Sequence, residues 1–167
     1  MTPRTRDTAS IDFTCYDMGK IRPMSELNLS TPQAAEAAFY AAFAECDFKA
    51  METVWAVEGV ICIHPGSSVL HGRDAVMRSW ANMLLNAEQP KIRVNVLSRT
   101  SSNGLAVHVV EEHITSGYGD TASVSLVLAT NVYRDEGDGW RLLEHHASVP
   151  RFQRTGMNAA PQKHTLQ

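Results

Sequence analysis

The stretch KIRVNVLSRTSSNGLAVHVVEEHITS, residues 91–116, decides the fold. In residues 91–100, Ile92, Val94 and Val96 alternate with mostly polar neighbours, which is the period-two pattern of a β-strand with two different faces. Ser102-Asn103-Gly104 supplies a turn before a second strand at residues 105–116. Strands of about ten residues or more are roughly twice the usual ~5–6. Because long antiparallel strands twist and curl, we expect a strongly curved sheet.

Two more strands follow this hairpin in the sequence. Residues 122–134 alternate between a more apolar set and a more polar one, and residues 140–149 follow an acidic, glycine-rich loop. The more apolar set of the first of these strands is Val124, Leu126, Leu128, Thr130 and Val132. In residues 91–100, Arg93, Asn95 and Arg99 form a polar face, which we interpret as a solvent or subunit contact.

Three helices are predicted before the hairpin. Thr31 and Pro32 are typical of a helix start, Asp47 ends that helix and caps the next one, and a third helix is predicted from Arg73 to about Asn86. Between the second and third helices, residues 59–72 (GVICIHPGSSVLHG) predict a strand, a turn at Pro65-Gly66 and a short second strand. Helices followed by antiparallel strands indicate the α+β class.

The ends of the chain have weaker patterns than the middle. We interpret residues 1–30 as an N-terminal arm, ordered in part at best, in which Ile11, Phe13 and Tyr16 could provide anchors. Residues 31–152 form the predicted domain, and residues 153–167 are a C-terminal tail. A single domain suits a chain of 167 residues, of which 44% are hydrophobic and 20% charged.

Composition and missing motifs exclude several function classes. A formal net charge of −3 without a basic run argues against a nucleic-acid partner. No apolar stretch is long enough for a membrane span or a signal peptide, and three cysteines suit a reducing compartment, so we expect a soluble, cytoplasmic protein. The seven histidines form no recognised metal-ligand motif, and no nucleotide-binding glycine motif occurs, so we predict neither a metal site nor a cofactor.

Four segments resemble one known family. They are the helix pair AFYAAFAECDFKAMETVWA (residues 38–56), IHPGSSVLHGRDAVMRSW (63–80), LATNVYRDEGDGW (128–140) and WRLLEHHAS (140–148). In order and spacing they resemble the NTF2-like superfamily, in its SnoaL-like and ketosteroid-isomerase-like branch. The resemblance implies a cystatin-like α+β cone, in which three helices pack inside a strongly curved mixed or antiparallel sheet around an internal pocket. It also implies a homodimer formed through the outer face of the sheet.

The resemblance offers one test of activity. The isomerase needs an Asp base and an oxyanion hole made of a Tyr and a protonated Asp. At the tyrosine position this chain has Phe39, with Tyr40 beside it, and His64-Pro65 matches the Asp-Pro of the isomerase. The second acid falls at residues 127–130, which end at Thr130 and contain no carboxyl group. Steroid isomerisation of that kind is therefore not expected.

His64 is the candidate catalytic residue. It ends an apolar strand at a Pro-Gly turn, where the resemblance places a general base, and a neutral imidazole suits proton abstraction near pH 7. The alternative is that its side chain caps the strand end by bonding to backbone. His71 precedes the opening of the third helix, and we interpret it as a turn residue.

Other polar and aromatic side chains are candidate ligand-binding residues. His108 and Glu112 share one face of a strand, where they could orient each other or bind a polar ligand; a solvated or dimer-facing pair is the alternative. Trp55 and Trp80 could line a cavity or be plain core, and His146 could bind a ligand or fix sheet pairing. The full candidate set is Tyr40, Trp55, Trp80, His108, Glu112, Thr130 and His146.

Two functions remain open from the sequence. The first is a protein that binds a small apolar or aromatic molecule and uses His64 in cofactor-independent proton transfer, of the isomerase, dehydratase or hydrolase type. The second is a non-catalytic homodimer that binds a ligand or serves as an assembly module.

Overall fold

The computed structural model describes residues 10–13, 27–86, 89–117 and 119–150. In this part of the chain, three α-helices pack against one seven-stranded sheet, which confirms the predicted α+β class. Tyr16 and the predicted C-terminal tail lie outside the described residues. In chain order the elements are β1 (Ser10–Phe13), α1 (Pro32–Ala44), α2 (Phe48–Val54), β2 (Ile61–Ile63), β3 (Leu70–His71), α3 (Arg73–Asn86), β4 (Lys91–Ser102), β5 (Leu105–Ser116), β6 (Ser123–Asp135) and β7 (Trp140–Ser148).

The helices begin at the predicted caps. Thr31 Oγ1 accepts a hydrogen bond from the Ala34 amide at 3.1 Å, and Asp47 Oδ1 accepts one from the Ala50 amide at 2.9 Å. Each bond satisfies one of the amides that a helix start leaves without an intrahelical partner. Two of the three helix starts are thus fixed by side chains that the sequence identifies.

Arg73 fastens α3 to the end of α2. Its Nη1 donates to the carbonyl oxygens of Trp55 and Ala56 at 2.9 and 2.7 Å, and its Nη2 donates to that of Glu52 at 2.6 Å. The last carbonyls of a helix have no intrahelical partner, and a guanidinium group can satisfy several of them at once.

The sheet has the strand order β1-β4-β5-β6-β7-β2-β3. β2 runs parallel to β7 and all other pairs are antiparallel, so the sheet is mixed. The turn between β4 and β5 is formed by Asn103 and Gly104, whose φ angles of 50° and 75° suit the right-handed twist of a long hairpin. The long strands confirm the sequence prediction.

Helix α1 lies against the concave face of the sheet. It contacts β4, β6 and β7, and its Phe39 is completely buried. The Phe39 ring meets the rings of Tyr40, Trp55 and Trp80 edge-on, with centroids 4.9, 6.4 and 5.4 Å away. This aromatic group holds the helices inside the curved sheet.

A β-bulge in β4 moves the side chains that follow it to the opposite face of the sheet. Val96 pairs with Val110 and Ser98 with Val109, so Leu97 is the extra residue. Beyond it, Arg99 pairs with His108 and turns to the inner face. The prediction that Arg99 shares a solvent or subunit face with Arg93 and Asn95 is therefore wrong.

A second bulge, in β7, has the same effect. Leu143 is the extra residue between the pairs Tyr133–Leu142 and Val132–Glu144. As a result His145 points inward and is buried, whereas His146 is exposed on the outer face opposite Thr130. A role for His146 and Thr130 in binding a ligand inside the cone does not fit this placement.

The side chains on the inner face of β6 belong to the set that the sequence indicates as the more polar one. It consists of Val127, Ala129, Asn131 and Tyr133, all buried. The more apolar set, including Leu126 and Leu128, lies on the outer face and is half-buried or exposed. Apolar alternation would place that set inward, and the polar chain described below explains the reversal.

Candidate functional site

A chain of four hydrogen-bonded side chains crosses the inside of the sheet. Tyr40 Oη lies 2.6 Å from Glu112 Oε1, Asn131 Nδ2 lies 3.0 Å from Tyr40 Oη, and His145 Nδ1 lies 2.7 Å from Asn131 Oδ1. The four residues come from α1, β5, β6 and β7, and all are buried. We call this set the inner chain.

The hydrogen bonds of the inner chain have a defined direction. Asn131 Oδ1 can only accept, so His145 donates from Nδ1, and Asn131 Nδ2 in turn donates to Tyr40. The Tyr40 hydroxyl then donates to Glu112 Oε1. A proton on Glu112 therefore belongs on its other oxygen, Oε2, which makes no hydrogen bond with the described residues.

Burial changes the ionisation of both ends of the inner chain. It raises the pKa of Glu112 to about 7, although the Tyr40 hydrogen bond acts in the opposite direction. Burial lowers the pKa of His145 to about 3, with further lowering by His64 and His146. Near neutral pH, His145 is therefore uncharged, and the Glu112 carboxyl group keeps its proton to a much higher pH than an ordinary Glu.

A second polar group lies next to the inner chain. Glu36 on α1 is buried and pairs through Oε1 with the Arg99 guanidinium and through Oε2 with His108 Nδ1 at 2.8 Å. The rings of His108 and Tyr133 lie 4.9 Å apart. We call Glu36, Arg99, His108 and Tyr133 the Arg99 cluster.

His108 and Glu112 share one face of β5, as predicted, and it is the inner face, but they do not orient each other. Each forms a hydrogen bond with a residue of α1 instead. His108 pairs with Glu36, and Glu112 pairs with Tyr40. Glu36 and Tyr40 are four residues apart and therefore lie on one side of the helix. One face of α1 thus serves both polar groups.

His64 is half-buried beside the inner chain. Its Nε2 lies 2.9 Å from Ser79 Oγ on α3, and its ring lies 5.1 Å from the Trp80 ring and 6.5 Å from that of His145. Burial lowers the pKa of His64, so the imidazole is neutral at pH 7. The described contacts of its side chain are with side chains, whereas the turn after β2 is closed by the bond from the Ser67 amide to the His64 carbonyl.

A thiol and an indole contact His64, and a second indole lies in the core. Cys62 Sγ lies 3.7 Å from His64 Nε2, and burial raises the pKa of this thiol to about 12, so no thiolate forms near neutral pH. Trp80 contacts both His64 and His145 and so borders the candidate site. Trp55 contacts Phe39 and belongs to the core between the helices.

The sequence analysis missed five members of the inner chain and the Arg99 cluster, which are Glu36, Arg99, Asn131, Tyr133 and His145. Glu36 is a charged residue beside the apolar stripe of α1. Its spacing of four residues from Tyr40 was the signal that both side chains lie on one side of the helix. Asn131 and His145 were hidden for different reasons. Asn131 lies on the β6 face that alternation placed outside, and the β7 bulge shifts His145 inward in place of His146.

Among the described residues, no helix is long and apolar enough to cross a membrane. No three His, Cys, Asp or Glu side chains there are grouped as metal ligands would be.

The family model of the SnoaL-like domain matches residues 33–151. The chain belongs to the SnoaL-like family. A candidate calcium/calmodulin-dependent protein kinase type II association domain from Thiobacillus denitrificans is 39% identical, with a TM-score of 0.68, over 74% of this chain and 98% of that one. A candidate NTF2-like dehydratase from Streptomyces avermitilis is 33% identical, with a TM-score of 0.65, over 71% and 94%.

More distant structures confirm the fold of this SnoaL-like domain. A ketosteroid isomerase-like protein from Erwinia carotovora atroseptica has a TM-score of 0.61 at 16% identity, over 75% of this chain and 97% of that one. A cystatin-like protein from Caulobacter vibrioides has a TM-score of 0.58 at 14% identity, over 72% and 87%. Sequence identities this low support a shared fold but give no information about activity. A comparison with curated proteins gives no match.

Proposed function

We propose that this SnoaL-like domain binds a small apolar or aromatic molecule and catalyses a cofactor-independent proton transfer on it. His64 acts as the general base and Glu112 as the general acid. The observation that carries the proposal is the inner chain, which runs from the buried Glu112 carboxyl to His145, 6.5 Å ring to ring from His64. No metal or cofactor is needed for this chemistry.

The ionisation of the two groups supports these roles. Ordinarily a Glu loses its proton well below the pKa of a His. Here burial raises the pKa of Glu112 to about 7 and lowers that of His64, which reverses the usual order. Near neutral pH the carboxyl group can give a proton while the imidazole can take one. Such pairs, whose pKa values are displaced by their surroundings, identify acid and base in known enzymes.

The inner chain also explains how the acid is held. Tyr40 occupies Glu112 Oε1, so the proton on Oε2 is the one available to a ligand. Asn131 and His145 fix the direction of the Tyr40 hydroxyl and are therefore positioning residues. The aromatic rings beside the chain suit an apolar or aromatic ligand.

Hydrogen–deuterium exchange tests the proposal without knowledge of the natural substrate. Acetophenone, a neutral aromatic ketone, is incubated with the protein in deuterated buffer, and deuterium at the methyl carbon is followed by mass spectrometry. We expect faster exchange than in buffer alone, and loss of the acceleration in His64→Ala. His71→Ala, an exposed histidine that serves as control, should keep the wild-type rate. Exchange unchanged by His64→Ala, or no acceleration by the wild type, would contradict the proposal.

A second function, assembly, is favoured by the outer face of the sheet. Val107 is 38% exposed and pairs with Val132, and Leu126 and Leu128 are half-buried on the same side. A face that is this apolar suits a second copy of the chain. The relative from Thiobacillus denitrificans is named for an association domain, which supports the same reading. We therefore propose a homodimer formed through this face.

A further inference from the structure

The Tyr133 hydroxyl is buried without a hydrogen bond. The residue has no solvent exposure, and no described group makes a hydrogen bond of normal geometry to Oη, although the Asn131 side chain interacts with it more weakly. A buried hydroxyl without a partner destabilises the folded state, so native proteins rarely keep one unless something else pairs with it.

His108, on the neighbouring strand β5, presents a second polar atom. Its Nδ1 lies 2.8 Å from Glu36 Oε2, and the carboxylate can only accept, so Nδ1 carries a proton. In the neutral imidazole the other nitrogen, Nε2, is then an acceptor, and no described residue bonds to it. Arg99 holds the other oxygen of Glu36 and so fixes the carboxylate that orients the ring.

The two atoms come from neighbouring strands. His108 pairs with Asn131 on β6, and Tyr133 follows two residues later on the same face, with the two rings 4.9 Å apart. Tyr133 offers a donor and His108 an acceptor. A single hydroxyl group satisfies both, because it accepts from Tyr133 and donates to His108.

We propose that the Arg99 cluster is a second polar subsite that binds the hydroxyl group of a neutral alcohol or phenol between Tyr133 Oη and His108 Nε2. Its two hydrogen-bonding atoms are not those of the proton-transfer pair His64 and Glu112, although Glu112 acts electrostatically on Tyr133. Arg99, whose side chain is 28% exposed, is the member of the cluster that reaches solvent and so marks its outer end.

The charges of the cluster favour a neutral group. Glu36 and Arg99 neutralise each other, so the pair offers no free charge to a ligand ion. A carboxylate would lie close to Glu36, and an ammonium group close to Arg99, each at a cost that grows in a buried site. A hydroxyl group avoids both.

Binding of two matched probes tests the subsite. para-Fluorophenol and para-fluorotoluene differ only in the hydroxyl or methyl group, and fluorine NMR reports the dissociation constant of each. We expect the phenol to bind the wild type about tenfold more tightly, the equivalent of ~1.4 kcal/mol. Tyr133→Phe should reduce the preference to less than about twofold, and His108→Gln should do the same.

His71→Ala, an exposed histidine outside both polar groups, is the control and should keep the preference for the phenol. Glu112→Gln is measured as well, because Glu112 is the other group that could bind the phenol. Equal binding of both probes by the wild type, or a preference that survives Tyr133→Phe, would overturn the subsite. Loss of the preference in Glu112→Gln alone would assign phenol binding to the inner chain and would also overturn it. The exchange assay with His64→Ala tests the proton-transfer proposal independently of all these outcomes.

Discussion

At the scale of single residues, Glu112 is the most informative side chain. It is buried, its described hydrogen-bond partner is the Tyr40 hydroxyl, and no described cation pairs with it. Burial without a compensating charge favours the protonated form, which is why the pKa is raised to about 7. The same carboxyl group therefore affects both the proposed reaction and the stability of the fold.

The proposed acid and base predict a bell-shaped dependence of acetophenone exchange on pH. The rate falls below the lowered pKa of His64, because the base becomes protonated, and falls again above about 7, because Glu112 loses its proton. In Glu112→Gln the amide can donate a hydrogen bond but no proton, so the rate is lower at every pH and no longer depends on this titration. We expect this variant to lose the decline above pH 7 and to keep the decline at low pH; a decline that remains on the alkaline side would assign it to another group.

Glu112 also predicts a pH dependence of stability. The folded state keeps its proton up to about pH 7, whereas an unfolded Glu loses it near 4.5, so the contribution of Glu112 is fully present below 4.5 and is lost as the pH rises to 7. Relative to wild type, Glu112→Gln should therefore gain up to about 3 kcal/mol between pH 4.5 and 7. Urea unfolding at both pH values measures this gain, and a constant difference between the proteins would contradict it.

His145 acts in the opposite direction in the same pH range. Its pKa is lowered to about 3, so the unfolded chain binds a proton below about 6.5 that the folded chain refuses, and stability falls as the pH decreases. In the wild type the two effects oppose each other. Comparison with Glu112→Gln cancels the His145 contribution, which is why the difference between the two proteins is the quantity to measure.

At the scale of elements, the two bulges decide which residues reach the interior. Helix starts, the hairpin turn and strand lengths follow from local chemistry at Thr31, Asp47 and Asn103-Gly104, and the sequence predicts them. The extra residues of the bulges, Leu97 and Leu143, have no such local signal. One inserted residue moves all later side chains of a strand to the opposite face. For this reason, the alternation of apolar and polar residues did not predict which side chains point inward after each bulge.

The junction of α2 and α3 gives a prediction at this scale. Arg73→Ala removes the hydrogen bonds from the guanidinium to the carbonyls of Glu52, Trp55 and Ala56. We expect the free energy of unfolding to fall by about 2–3 kcal/mol in a urea titration. Arg78→Ala, an exposed position on the same helix, should change it by less than ~0.5 kcal/mol. Equal effects of the two substitutions would show that the carbonyl contacts contribute nothing specific.

At the scale of the whole molecule, the sheet has two polar groups inside and partly exposed apolar side chains, including Val107, Leu126 and Leu128, outside. The sequence order of helices and long strands was sufficient to predict the α+β cone. Which face of β6 is interior was not predictable, because Asn131 and Tyr133 face inward as parts of polar groups assembled from four separate elements. Such a group exists only after the fold has formed, so periodicity along one strand does not reveal it.

The apolar outer face predicts the oligomeric state. We expect light scattering after size exclusion to give the mass of a dimer for the wild type. Val107→Glu should give a monomer, because it places a charge among the apolar side chains of the outer face. Val57→Glu lies between α2 and β2, outside the strands, where Val57 is 66% exposed, and should leave the dimer intact. A dimer in both variants would place the interface elsewhere.

The most direct test of the acid–base pair is an NMR titration of its two members in the wild-type protein. Carbon-13 shifts of the Glu112 carboxyl group, assigned with Glu112→Gln, and of the His64 imidazole, assigned with His64→Ala, give both pKa values under one set of conditions. The reversed order predicts a midpoint near pH 7 for Glu112 and one below 6.5 for His64. A Glu112 midpoint near its ordinary 4.5, below that of His64, would contradict the proposed roles of both residues.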